Sequence, residues 1–430
     1  MSEARFNLRK NVLYQAFSFA VGLALTFLTY RILIDRNGIE AVGTWSTLIA
    51  WTALVRIGDA GMANATVRFV GQHDIATDPE IIRVTIETGI LANTAIFAIL
   101  NLLGWLVLSF FLPDLVTAEH LEESRTLLPW LFLISTLANM TWVILGSLQG
   151  LHAGYVSARL TVAGNVLQLL LALVLIPSLG LLGLAWSQVA MYAALSIVGW
   201  FILRARAGIA GFLPYHFGWQ RFREMLTFSV AVQVNNGLSA LFEPMAKILV
   251  SRFGGAASQG LFELAYKTVS LPRNMIVTGV YAAVPALTFQ LRDNPEAART
   301  LYDQSRRHAV RAALGAMICV ALFGAPIASW MWMGHLQADY WVYVVLLALG
   351  TAVSIAGAPA YFLGQASGKM IYNIVAAALT LAVSLPLGLL GGMAFGVTGV
   401  IAALSVGIAF SGAVIKMLNE RILRSANARA

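Results

Sequence analysis

Val55-Arg56-Ile57-Gly58-Asp59-Ala60-Gly61-Met62-Ala63-Asn64-Ala65-Thr66-Val67-Arg68 lies inside an otherwise apolar segment covering residues 43–70. The segment is longer than the ~20 apolar residues a helix needs to cross a hydrocarbon core. Yet it carries a cation and an anion three positions apart, followed by the flexible Gly61. Ionic groups at that depth are costly, and they persist where they meet a partner or serve a function. The stretch therefore reads as a membrane span whose charged residues turn away from lipid.

Eleven further segments of this kind flank it, giving spans near residues 11–34, 43–70, 83–111, 127–149, 158–176, 181–204, 224–250, 258–289, 306–333, 340–364, 372–391 and 396–418. The apolar runs are continuous rather than alternating, which excludes a barrel. Of the 430 residues 59% are hydrophobic and 11% charged, against ~25% charged in soluble domains. The expected fold is an all-α polytopic membrane protein. Arg5, Arg9 and Lys10 precede a first span too long for a signal peptide, so it reads as a retained helix. The single cysteine, Cys319, sits in an apolar run and reads as a small buried hydrophobe. No Cys/His cluster has metal-ligand spacing, and no metal or cofactor is expected.

The basic residues set the orientation. With a cytoplasmic N-terminus, the inner side holds 20 Lys and Arg and the outer side 4. That bias puts both termini in the cytoplasm and fits an even number of spans. It also accounts for the net charge of +8 without a nucleic acid partner. Loops are short. The acidic outer loop near 112–126, with Asp114, Glu119, Glu122 and Glu123, reads as a solvated face.

An internal repeat is visible. Ile32-Leu33-Ile34-Asp35-Arg36-Asn37-Gly38 aligns with Ile248-Leu249-Val250-Ser251-Arg252-Phe253-Gly254, and Gly180 and Gly183 align with Gly396 and Gly399, all at an offset of 216. The chain is expected to form a six-helix lobe over 1–205, a cytoplasmic linker over 206–223 and a second six-helix lobe over 224–430. An even count per half orients both lobes alike, related by a pseudo-two-fold axis along the membrane normal.

Most charges within the spans come in helical pairs: Arg56 with Asp59, Glu243 with Lys247, Glu263 with Lys267, and Arg83 with Glu87 at the inner end of span three. Spacings of three or four place both partners on one helix face. Such pairs either neutralise themselves for burial or present charge to a wet cavity. Arg273 has no acidic residue at those spacings and follows Pro272, which is expected to kink the helix. Its planar fork suits a phosphate, and an interhelical partner such as Asp59 or Glu243 is the alternative. Asn64, Gln233, Asn235 and Asn236 are polar enough to meet sugar hydroxyls, or else they bond neighbouring helices. Trp45, Trp51, Trp105, Trp130, Trp330, Trp332 and Trp341 fall near span ends, as in an interfacial belt. Asp35 and Glu40 raise the alternative of a membrane glycosyltransferase or polymerase. Their loop, about eight residues long, is too short to build an acceptor site.

The run Gly58-Asp59-Ala60-Gly61-Met62-Ala63-Asn64-Ala65-Thr66-Val67-Arg68 resembles a signature of bacterial polysaccharide (O-antigen type) flippases. So do Gly43-Thr44-Trp45-Ser46, Leu363-Gly364-Gln365-Ala366 with Gly368-Lys369, and the paired Gly-x-x-Gly entering spans six and twelve. The resemblance covers nearly the whole chain. It implies the multidrug/oligosaccharidyl-lipid/polysaccharide (MOP) exporter superfamily: two lobes around a cavity that opens alternately to each side, in the bacterial inner membrane. It implies flipping of an undecaprenyl-pyrophosphate-linked oligosaccharide, with glycan polymerase and export proteins as partners and no enzymatic step. On this reading Arg56 and Arg273 meet phosphate, Lys247 and Lys267 line the substrate cavity, Asn64, Asn235 and Asn236 meet sugar, and Asp59, Glu243 or Glu263 takes a coupling proton or sodium ion. The related multidrug antiporters are the competing reading.

Overall fold

The computed structural model describes residues 2–55, 62–73, 75–115, 118–281, 287, 290–291, 294–367 and 371–427. Among them no strand occurs; the helices are α1 Ser2–Val55, α2 Met62–Gly71, α3 Pro79–Leu115, α4 Leu121–Gly150, α5 Gly154–Leu179, α6 Leu181–Ala207, α7 Trp219–Tyr281, α8 Pro295–Cys319, α9 Ala325–Met333, α10 Ala338–Ile355, α11 Ala358–Ala366 and α12 Ile371–Asn427. A π-helical turn, Val320–Gly324, joins α8 to α9. It ends two residues before Pro326, whose ring cannot sit against the carbonyl one regular turn earlier.

Three helices are too long for one crossing, and each changes direction at a glycine. The breaks fall at Gly38 (φ 81°, ψ 173°) in α1, Gly255 (φ 67°, ψ −171°) in α7 and Gly396 (φ 62°, ψ −151°) in α12. The α5–α6 join is Gly180 (φ 55°, ψ −131°). A side chain clashes at such positive φ, so glycine marks each turn. The α7 dihedrals stay helical at Pro272; the break falls at Gly255 instead.

These breaks make the repeat physical. Gly180 and Gly396 share a conformation at the expected offset of 216. Gly183 packs on the Leu175 carbonyl, and its counterpart Gly399 packs on that of Gly391. Thr141 Oγ1 lies 2.8 Å from Ser196 Oγ, and the counterparts Gly357 and Gly412 are in close backbone approach. Gly38 corresponds to Gly255, one position beyond the residue that sequence alignment pairs with it.

The chain divides into two compact units, residues 1–38 with 51–234, and residues 39–50 with 235–430. The division thus falls about ten residues beyond the linker read from the sequence, and one short segment crosses over.

In the first unit α4 packs against α2, α3, α5 and α6. Its core includes Ile82, Ile86, Val143, Ile144 and Leu203. Asparagines tie α3 to α4: Asn93 Nδ2 donates to the Asn139 carbonyl at 3.0 Å, and Asn101 Nδ2 to Thr136 Oγ1 at 3.0 Å. The opposite face of α3 exposes Ile99, Leu102, Leu103, Leu106 and Phe110, an apolar stripe at helical spacing that suits lipid.

In the second unit α10 and α11 pack on α12. Asn419 Nδ2 donates to Asn373 Oδ1 at 2.9 Å between the two arms of α12. Cys319 is exposed rather than buried, because its neighbours Ile318, Leu322 and Phe323 form another outward apolar surface. Trp45 and Trp332 are core residues, whereas Trp330 and Trp341 stay exposed as a belt requires.

The crossing that captures residues 39–50 is reciprocal. A side chain at Gly43 would overlap the carbonyl of Ala256, and one at Gly260 would overlap that of Ile39. The pairs 43/260 and 39/256 share an offset of 217, so corresponding positions of the two repeats touch across a local pseudo-two-fold axis. Small residues allow two helix backbones to approach this closely.

Candidate functional site

One turn beyond Gly43 and Gly260 the same crossing brings Ser46 beside Glu263. Ser46 Oγ donates to Glu263 Oε2 at 2.6 Å, and Gln259 Nε2 donates to Ser46 Oγ at 3.2 Å. Lys247, from the other arm of α7, reaches the same carboxylate: Nζ lies 2.8 Å from Glu263 Oε2 and 2.7 Å from Glu243 Oε1. Lys267 Nζ lies 3.1 Å from Glu263 Oε1. Both helical pairs read from the sequence therefore form, and Lys247 joins them into one network.

The network is graded in exposure. The side chains of Lys247 and Glu263 are only 8% and 4% exposed, whereas Glu243 and Lys267 are 45% and 37% exposed. The inner pair is a clamp whose charges answer each other. The outer pair forms an accessible rim with one anion and one cation. Further along the Glu263–Lys267 face, Tyr266 bonds Ser270 and lies in the field of Glu243 and Arg273. Arg273 is exposed, and its guanidinium reaches Asn274 Oδ1 at 3.2 Å.

The repeat shows what the fold itself needs. At an offset of 217 the counterparts of Gln259, Glu263 and Lys267 are Val42, Ser46 and Ala50. The first copy builds its helix there without ions, so Glu263 and Lys267 are an addition carried by the second copy, whereas Lys247 has a cationic counterpart in Arg31 at an offset of 216.

Arg56 and Asp59 lie outside the described residues, as do the side chains of Asn64, Asn235 and Asn236. Sequence reading did not single out Ser46, Gln259 or Tyr266 for this site. Their signal was Gly43-Thr44-Trp45-Ser46 itself, read only as a motif. Among the described residues no group of three metal-ligating side chains occurs.

The first unit holds a different arrangement at the N-terminal end of α3. Arg83 pairs with Glu80 at 3.1 Å, and Glu87 is taken by His216 rather than by Arg83. His216 donates its backbone N–H to Glu87 Oε2 at 2.8 Å, and its Nδ1 lies 2.7 Å from the same oxygen. Arg83 lies 2.6 Å from His216 Nε2. A guanidinium only donates, so Nε2 accepts and Nδ1 carries the proton shared with Glu87. Gly218 N donates to Thr88 Oγ1 at 2.9 Å. The connector after α6 is thus buckled onto α3. His216→Ala removes the ring contact from a fully buried carboxylate. It is expected to cost about 1–3 kcal/mol and to speed amide exchange across residues 208–218, as read by mass spectrometry, while α3 stays protected.

The family described as "polysaccharide biosynthesis protein" matches residues 42–335, more than half of the chain. The chain belongs to the polysaccharide biosynthesis protein family. The match takes in the Gly43 crossing and the whole ionic network. No curated protein matches the chain. Solved structures do resemble it. One is a multidrug resistance MATE family transporter of the MOP superfamily in its inward-facing conformation, with TM-score 0.80, 15% identity and coverage of 95% of this chain and 96% of that one. Another is a MOP superfamily transporter from Pyrococcus furiosus, described as having a binding pocket of reverse polarity that suggests a different function. It gives TM-score 0.70 at 15% identity over 97% and 96% of the two chains. A mutant MATE transporter of Vibrio cholerae gives TM-score 0.69 at 17% identity over 99% of each. This member of the polysaccharide biosynthesis family therefore has the fold of the MOP transporters and is a multi-pass membrane protein.

Proposed function

We propose that this polysaccharide biosynthesis family member flips a lipid-linked oligosaccharide, with an undecaprenyl-pyrophosphate carrier, across the bacterial inner membrane by alternating access. The observation that carries the reading is the family match over residues 42–335 on a transporter fold. A glycan-assembly protein built this way has moving the glycan as its natural task. The excess of basic residues on one side supports cytoplasmic termini. Arg273 supplies a planar, exposed cation for pyrophosphate. Lys267 adds charge at the rim of the network, and Asn64, Asn235 and Asn236 are the candidates, on residue type alone, to meet sugar hydroxyls. Glu243, half exposed beside Lys247, is the accessible carboxylate for a coupling proton or sodium ion. Glycan polymerase and export proteins are the expected partners, and no chemical step is assigned to the chain.

The likeness to MATE transporters favours a second reading, efflux of drugs or metabolites. A deletion strain separates the two. Flipping predicts lipid-linked glycan trapped in the inner leaflet, out of reach of an impermeant lectin on intact spheroplasts and bound by it once they are permeabilised. Efflux predicts drug sensitivity with surface glycan unchanged, and that outcome would overturn the first reading.

A further inference from the structure

The connector between α6 and α7 is more than a tether. It has two fixed points in the first unit. At one, Trp200 Nε1 donates to the Phe212 carbonyl at 2.7 Å; at the other, His216 is buckled to Glu87. Between and just beyond them the chain turns large apolar groups outward: Phe212, Leu213, Tyr215, Phe217 and Trp219 are 47–69% exposed. Such a row is costly in water.

Its placement says what covers it. Ile197, Val198 and Phe201 form an outward apolar stripe on α6, and the Phe212 ring packs on Phe201 with centroids 5.2 Å apart. The exposed row therefore continues the lipid-facing surface of a membrane span. At the junction Arg204 lies over both rings, 5.7 Å from that of Phe201 and 5.9 Å from that of Phe212. It also donates to the Ala210 carbonyl at 3.3 Å. Arg206 stacks on Tyr155, and Arg221 and Arg223 follow on the far side. Phe217, Trp219 and Phe222 close a cluster with centroid separations of 5.4–6.3 Å. Amphipathic rings beside arginines, at the end of a lipid-facing stripe, match the chemistry of the headgroup layer.

We infer that residues 204–223 form a pinned anchor that lies in the cytoplasmic headgroup layer and binds anionic phospholipid, Phe212, Leu213 and Trp219 entering the layer and Arg204, Arg206 and Arg223 meeting phosphates, while Arg221 is held by Glu224 at 2.9 Å. The inference does not depend on which substrate the protein moves. Because the pins hold the loop open, the lipid does not pay the ordering cost of a disordered segment.

The test uses the chain's single cysteine. In full-length protein carrying Cys319→Ser and Leu213→Cys, a bimane is attached at position 213. The protein is reconstituted into nanodiscs of phosphatidylglycerol with phosphatidylcholine, with a doxyl quencher on one lipid or the other. The expected result is strong quenching by doxyl lipid, weak quenching by aqueous iodide, and a preference for doxyl-phosphatidylglycerol. That preference should fall about fivefold for each of Arg204→Gln and Arg206→Gln, with an unchanged melting temperature. Quenching by iodide alone would overturn the anchor. Equal quenching by both lipids would overturn its preference for anionic headgroups. His216→Ala gives an independent check: the label should loosen from the layer without loss of the helical fold, and no change in quenching would contradict the role of the pins.

Discussion

Lys247→Ala is expected to lower stability by about 3–5 kcal/mol, because it breaks a buried pair and strands the remaining charge. Lys247 Nζ sits 2.8 Å from Glu263 and 2.7 Å from Glu243, and the inner two side chains are nearly sealed from solvent. After the substitution Glu263 keeps only Ser46 and Lys267, and the cavity left by the lysine stem adds to the loss. The apolar double replacement Lys247→Met with Glu263→Leu should recover most of the stability, since neither charge then remains to be paired. A double-mutant cycle on thermal melting, with Ser46→Ala as a third corner, measures the coupling. A cost under about 1 kcal/mol would mean that water reaches the pair. The recovered double variant also separates roles: if it folds but transports poorly, the ions serve function rather than assembly.

Gly43→Leu is expected to do more damage still. The added side chain has no free direction, because its first carbon already overlaps the Ala256 carbonyl and the Gly260 nitrogen. The two backbones must part, which also pulls Ser46 from Glu263. A loss above about 4–5 kcal/mol belongs to such changes, and little folded protein should be recovered from the membrane. Gly315→Ala is the control. Its new methyl meets nothing within 4 Å near the C-terminal end of α8, where the helix runs on into the π-helical turn, and it should gain about 0.5–1 kcal/mol from helix propensity. Size-exclusion profiles and melting curves of the two variants read the contrast directly.

These two sites show which physics sequence carries and which it does not. Glu243 with Lys247 and Glu263 with Lys267 were legible because helix geometry fixes what lies four residues away. The link between the pairs was not, because it depends on how α7 turns at Gly255 and sets one arm against the other. Nor was Ser46 beside Glu263: Gly43 and Gly260 permit that crossing, but no local pattern states that they meet. The repeat was legible at Gly180 and Gly396, where the same backbone turn demands the same residue. It slipped by one at Gly38, because Gly254 and Gly255 are adjacent and only dihedrals tell them apart. Arg83 and Glu87 had ideal spacing and still did not pair. A histidine more than a hundred residues away offered the carboxylate both a ring and a backbone N–H. Cys319 was misjudged for a reason special to membranes: an apolar run predicts a protein core in water but a lipid-facing surface in a bilayer.

The central claim is that this transporter fold moves a pyrophosphate-linked glycan and that Arg273 holds its charged end. Purified protein in vesicles containing a fluorescent undecaprenyl-pyrophosphate oligosaccharide tests it, with an impermeant lectin reporting the leaflet. The account predicts protein-dependent transfer between leaflets, abolished by Arg273→Ala in protein that still folds and partly restored by Arg273→Lys. Transfer at the protein-free rate, or undiminished transfer by the alanine variant, would contradict it.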